Sequence, residues 1–241
     1  MQNDLTYTEA IEKVMLENGY IVPLKLLYKE VWNYKDKSKV KGKTPDDTIR
    51  ERVQRDKKFT RIGLGIYALS DKLHLLKHQE MPKTEKEKSI SKHAQIQGML
   101  LEIGNSKTEI SNTYTHDKKF IFENKPLGLI STLKLVPPFT YEYIIKNSVS
   151  FMDVVWFNDR MFPSVVFEVE NSTDFRDGFV KFMELLDFQT RFVCVAPLER
   201  KAKFEKEVAK TAFKPICNRV EFYSYEEVEA DYKLSLQKYN I

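Results

Sequence analysis

Two cysteines, eight glycines and nine prolines are few for a chain of 241 residues, and no apolar run approaches the roughly 18 residues that a membrane span needs. Cys194 lies in the apolar run RFVCVAP and Cys217 in a loop-like PICN. Two thiols so placed exclude a disulfide framework or a cysteine-built zinc site and read as reduced. The opening MQNDLTYTE carries neither a basic nor an apolar targeting region, and no internal repeat is visible. The expectation is a cytoplasmic protein with no membrane contact.

What is present is the composition of a folded domain, 42% hydrophobic and 31% charged. The net charge of +4 is unevenly placed: residues 1–70 hold 14 Lys and Arg against 10 Asp and Glu, and the remainder holds 25 of each. Within residues 35–61 the count is 11 to 5. A surplus of this kind suits a polyanion such as nucleic acid, or a solvated lysine-rich loop.

The charged stretch DKLHLLKHQEMPKTEKEKSISK separates two periodic regions, so residues 73–90 read as a linker between domains at 1–72 and 91–241. His74 and His78 stand four apart, the spacing of a helical metal pair, but no third ligand is near in sequence and the segment reads as solvated. In the first domain Ala10, Ile11, Val14 and Met15 form a helical stripe that Gly19 ends, and VPLKLLYKEVW fits a second helix. Thr44, Pro45, Asp46 and Asp47 are a strong helix start, with Thr44 as N-cap. Ile49 and Val53 then face the core, leaving Arg50, Arg52, Gln54 and Arg55 exposed. FTRIGLGIYAL reads as a hairpin, and three helices plus a hairpin make a winged helix-turn-helix.

These residues, above all GKTPDDTIRERVQRDKKFTRIGLGIYAL, resemble the HARE-HTH modules of restriction endonucleases, chromatin-associated proteins and the delta subunit of bacterial RNA polymerase. The resemblance implies contact with double-stranded DNA through Lys43, Thr44, Arg50, Arg52, Gln54, Arg55, Lys57, Lys58 and Arg61. A protein-interaction role for the same module is the alternative.

In the second domain Ile96, Met99, Leu100 and Ile103 mark an opening helix. Strand SFMDVVWF, a turn at Asn158 and Asp159, strand SVVFEVE, a helix over 172–188, strand RFVCVAP, a helix over 198–211 and strand RVEFYS follow. The fold class is therefore α+β and α/β, with a central mixed sheet in the second domain. Alternation places Asp153 among Phe151, Val155 and Phe157, and puts Glu168 and Glu170 on one face of the next strand. Taken alone, the two glutamates fit the wet side of an edge strand. Three carboxylates on adjacent strands, with no Lys or Arg interleaved, also suit a hard cation such as Mg²⁺.

This order resembles the PD-(D/E)XK nuclease superfamily, in a Glu-x-Glu form that some type II restriction endonucleases use. The resemblance implies Asp153 and Glu168 as Mg²⁺ ligands, and Glu170 or a migrated Lys181 in place of the motif lysine. It also implies hydrolysis of DNA to a 5′-phosphate and a 3′-hydroxyl, with no other small-molecule cofactor. Met152 replaces the motif proline. Glu102 on the opening helix is either an accessory acid or part of a solvated face. A homodimer would cut both strands. The alternatives are a repair or junction nuclease with the same core, and a non-enzymatic, transcription-associated protein with a degenerate core.

Overall fold

The computed structural model of the chain describes residues 4–40, 43–76, 82–171 and 174–239. Helix α1 (Tyr7–Glu17) is closed by a capping box between Thr6 and Glu9 and buries the expected Ala10, Ile11, Val14 and Met15. The chain turns back through Gly19 and Tyr20, both left-handed at φ 83° and 72°. The segment read as a single second helix divides here. Strand β1 (Ile21–Pro23) comes first, then α2 (Leu24–Glu30) and a 3₁₀ turn over Val31–Asn33. Pro23, which cannot donate to a preceding helical turn, marks the break.

Helix α3 (Pro45–Arg55) runs where expected and buries Ile49 and Val53; Thr44 occupies the N-cap, but its side chain makes no capping bond. Strands β2 (Phe59–Gly63) and β3 (Ile66–Leu69) form the hairpin, turning at Gly65 with φ 71°. Strand β1 pairs antiparallel on the far side of β3, giving the order β1-β3-β2.

The segment read as a linker is partly helical, because α4 (Glu85–Ser106) begins inside it behind a capping box between Thr84 and Glu87. His78 lies outside the described residues. After α4 come β4 (Asn112–Tyr114), the short pair β5 (Ile121–Phe122) and β6 (Lys125–Pro126), α5 (Leu127–Ile130) and α6 (Glu142–Asn147). Then follow β7 (Val154–Phe157), β8 (Pro163–Val169), α7 (Phe175–Met183), β9 (Arg191–Ala196), α8 (Lys201–Val208), β10 (Val220–Ser224) and α9 (Tyr225–Lys238). In this half β7 starts only at Val154, α7 and α8 are shorter than the helices expected over 172–188 and 198–211, and α9 has no counterpart among the expected elements. Among the described residues no helix is long and apolar enough to cross a membrane.

The five-stranded sheet has the order β10-β9-β8-β7-β4 and is mixed: β4, β7 and β8 pair antiparallel, and β8, β9 and β10 pair parallel. One face, with Val154, Trp156, Phe167 and Val193, packs on Ile96 and Leu100 of α4 and Val228 of α9. The other, with Val155, Phe157, Val166 and Phe192, packs on Phe175, Phe179 and Phe182 of α7. Ile21, Ile66 and Ala68 of the N-terminal sheet, with Leu64 of its hairpin turn, join the first core, so that sheet packs on the α4 side.

Glu102 occupies that junction and is neither an accessory acid nor solvated. It is fully buried, its Oε1 lies 2.9 Å from Lys125 Nζ, and its Oε2 accepts from Leu64 N–H at 2.7 Å and from the Tyr232 hydroxyl at 2.8 Å. Lys125 Nζ also donates to the Ile62 carbonyl at 2.9 Å. One buried ion pair thus ties hairpin, α4, β6 and α9 together. Burial raises the Glu102 pKa, and these partners offset only part of the effect.

Candidate active site

Strand β8 is the middle strand of five, covered on both faces, so its acids cannot be the wet side of an edge strand. Glu168 is 3% exposed and Glu170 6%. Glu168 shares the face of Val166 and lies under α7, which approaches closely: a Cβ on Gly178 would stand 3.2 Å from the Glu168 side chain. Lys181, one turn further along α7, donates to Glu168 Oε2 at 2.7 Å and to the Phe151 carbonyl at 2.9 Å. Glu168 Oε1 is buried without a hydrogen-bond partner. Burial pushes the Glu168 carboxyl well above the usual range, the charges of Asp153 and Glu170 push further, and Lys181 counteracts them only in part. Burial lowers the Lys181 pKa, but Glu168, Asp153 and Glu170 outweigh it and hold the ammonium charged.

Asp153 sits one step before β7, just beyond the Val154–Phe167 pair, so it faces β8 at Glu168. Its Oδ2 accepts from Val169 N–H at 2.7 Å. The apolar surroundings expected of it are not there. Phe151 belongs to a 3₁₀ turn (Val149–Phe151) and is 49% exposed, and Asp153 itself is only partly buried. Its Oδ1 instead meets His93 Nε2 at 3.4 Å, and that nitrogen lies 3.6 Å from Asp117 Oδ2. Gln97, fully buried one turn along α4, brings Nε2 to 2.8 Å from both His93 Nε2 and Asp117 Oδ2. Burial alone would lower the His93 pKa; the two carboxylates overcome it and lift the pKa to about 10. Asp117, which burial would raise, is held below its ordinary value by His93 and Gln97.

Glu170 follows β8. Its N–H donates to the Val195 carbonyl at 2.7 Å, and its own carbonyl accepts from Arg200 at 2.7 Å. Among the described residues, the group of three His, Cys, Asp or Glu side chains with donor atoms mutually within 4.8 Å is His93, Asp117 and Asp153. Glu168 and Glu170 lie outside it. His93, Gln97 and Asp117 were not singled out in the sequence. The available signal was the i,i+4 pair in HAQIQ, which puts His93 and Gln97 on one helix face.

Of the expected DNA-binding residues on and after α3, Arg50, Arg52, Gln54, Arg55, Lys57 and Lys58 are exposed, as is Lys43 before it. Arg50 Nε donates to the Tyr28 hydroxyl at 3.1 Å, Arg55 pairs with Glu51 at 2.5 Å and Lys58 with Glu12 at 2.6 Å. Arg61 donates to the Gly63 and Tyr239 carbonyls. Arg50, Gln54 and Arg61 line a cleft of about 590 Å³ together with Lys25, Lys29 and Lys107. Lys25 Nζ caps the end of α4 by donating to the Gly104, Lys107 and Ile110 carbonyls, and burial lowers its pKa to about 8.

The family model described as "Type II restriction enzyme NmeDI C-terminal domain" matches residues 74–240, more than half of the chain, and takes in His93, Asp117, Asp153, Glu168 and Glu170. The chain belongs to this family. Type II restriction enzyme NmeDI of Neisseria meningitidis serogroup C is 34% identical over 93 residues, 36% of this chain and 26% of that relative's length. The aligned part thus spans about a quarter of the relative. No solved structure matches the chain.

In this member of the NmeDI family the state of Glu168 makes stability depend on pH. As pH rises past the unfolded carboxyl pKa of about 4.3, the unfolded chain ionises while folded Glu168 keeps its proton, so stability falls until the folded pKa is passed. Glu168→Gln has no such proton to lose. In melts with EDTA from about pH 4 to about pH 8, the Tm of the variant is expected to rise relative to wild type as pH increases. A difference that does not change with pH would contradict the protonated, buried state.

Proposed function

We propose that this protein is a Mg²⁺-dependent type II restriction endonuclease that hydrolyses double-stranded DNA at a specific sequence. Residues 91–241 would be its PD-(D/E)XK nuclease domain, and residues 1–72 a winged helix of the HARE-HTH kind. The observation that carries the reading is Asp153 beside β8, with Glu168 on it held by Lys181 of the following helix, all inside the segment that matches the restriction-enzyme family.

The donor set fits a hard cation. Glu168 Oε1 is buried without a hydrogen-bond partner, and a cation would take the place of the proton that burial and the charge of Asp153 hold on this carboxyl. Asp153 and Glu168 would hold Mg²⁺, which when bound polarises a scissile phosphate and acidifies water. Lys181 takes the role of the motif lysine. It is held charged by the neighbouring acids, so it orients water and stabilises charge at the phosphate as a donor and does not act as a base. Val169 N–H fixes the Asp153 carboxylate in place.

The exposed residues of α3 would grip the duplex, with phosphates reached by arginines and base edges by Gln54. Replacing Arg50, Arg52 and Arg55 together by Ala is expected to weaken duplex binding and to flatten its salt dependence by about one log-log unit per lost phosphate contact. Titrations at several salt concentrations check this, and an unchanged slope in the folded variant would assign α3 to protein contacts. Two copies related by a two-fold axis would cut both strands.

Incubation with supercoiled plasmid, with Mg²⁺ or with EDTA, tests the proposal. Discrete fragments that require Mg²⁺ support it. Cleavage confined to branched or damaged DNA would indicate a repair nuclease, and intact plasmid under every condition a non-enzymatic protein.

A further inference from the structure

We propose that His93, Asp117 and Asp153 form a site for a first-row transition-metal cation. The site shares Asp153 with the acids above but does not rest on the nuclease reading. His93 Nε2, Asp117 Oδ2 and Asp153 Oδ1 come from α4, from the loop after β4 and from the start of β7. They lie within 4.8 Å of one another, with the nitrogen 3.4 Å and 3.6 Å from the two carboxylates.

Gln97 supplies an independent observation. It is fully buried, and its Nε2 meets both His93 Nε2 and Asp117 Oδ2 at 2.8 Å. Its Oε1 has no partner, so only these two contacts fix the amide. An amide nitrogen only donates, so it serves the Asp117 carboxylate, and a hydrogen aimed at His93 Nε2 would occupy the single lone pair through which that nitrogen can bind a metal. The two ways of avoiding a metal each leave a clash. A proton on Nε2 would face the amide NH₂, and the amide turned over would set its oxygen 2.8 Å from a carboxylate.

A cation in place of the His93 Nε2 proton satisfies all three donors, and with the amide turned over the unpartnered Gln97 Oε1 faces that cation rather than a bare carboxylate. One imidazole with two carboxylates suits Mn²⁺, Fe²⁺, Co²⁺ or Zn²⁺ better than an all-oxygen site would. Three protein ligands leave positions open for water or for a phosphate oxygen.

Mn²⁺ is the probe, with binding followed by electron paramagnetic resonance of the whole protein and nitrogen coupling read by spin-echo modulation. Wild type is expected to bind Mn²⁺ with nitrogen coupling. His93→Gln should lose the coupling, and both it and Asp117→Asn should bind roughly 10-fold or more weakly. Glu168→Gln should retain the nitrogen-coupled Mn²⁺. Circular dichroism establishes that each variant is folded, and the wild-type spectrum decides the ligand even where a variant is not. Wild type without nitrogen coupling, or folded His93→Gln and Asp117→Asn that bind as wild type does, would overturn the site. Binding lost in Glu168→Gln but kept in His93→Gln would place the cation on the nuclease acids alone, overturning this inference and leaving the proposed function standing.

Discussion

Asp153→Asn is expected to keep the fold and duplex binding while lowering plasmid cleavage in Mg²⁺ by roughly 10³-fold or more. The charge stabilisation a metal supplies is worth several kcal/mol, and each 1.36 kcal/mol is about tenfold in rate. Asparagine keeps the shape of the side chain, and its carbonyl can still accept the Val169 N–H now bonded to Oδ2. What it loses is the charge that faces His93 on one side and presses on Glu168 on the other. Cleavage rate on plasmid, with duplex binding measured in parallel without divalent cations, separates the two functions. A fully active variant would remove Asp153 from the chemistry and with it the proposed catalytic site. A variant that fails to bind DNA would point to damage beyond the charge.

Lys125→Met is expected to destabilise the protein by about 3 to 5 kcal/mol, the range for breaking one side of a buried ion pair. Lys125 and Glu102 expose 1% and 0% of their side chains, so the orphaned carboxylate would have no water to turn to. Methionine retains an apolar stem of similar length, which confines the change to the ammonium, its place over the Phe122 ring and its bonds to Glu102, Glu123 and the Ile62 carbonyl. Adding Glu102→Gln should recover part of the loss, because a neutral amide is cheaper to leave in that pocket while still accepting from Leu64 N–H or Tyr232. Urea denaturation of wild type, single and double variants measures this, and a single-variant loss below about 1 kcal/mol would mean the pair is of no more consequence than one at the surface. The pair joins the N-terminal hairpin to α4 and α9, so the variant is also expected to bring melting of the hairpin to lower temperature.

Much of the local structure follows from short-range rules. The stripe in α1, the Pro45 start of α3, the hairpin around Gly65 and strands β8, β9 and β10 obey helical or strand periodicity, which neighbouring residues settle among themselves. The start of α4 was also within reach, since Thr84 and Glu87 spell a capping box inside a segment whose charge suggested a linker. Asp153, Glu168, Glu170 and Lys181 could be named from spacing and resemblance alone. Contact between distant segments decided the rest. Whether Glu168 is wet or buried depends on β8 having β9 and β7 on either side, and alternation within one strand carries no information about its neighbours. Glu102 looked like a surface acid because its partners, Lys125 and Tyr232, lie 23 and 130 residues away. The opposite charges that the acids lacked along their own strands arrive the same way: Lys181 reaches Glu168 from α7, and His93 reaches Asp153 across sixty residues of chain. Sequence fixes which charges must be met, because burial penalises each one locally. Only the tertiary fold selects what meets them, because that choice depends on which helices pack over which strand.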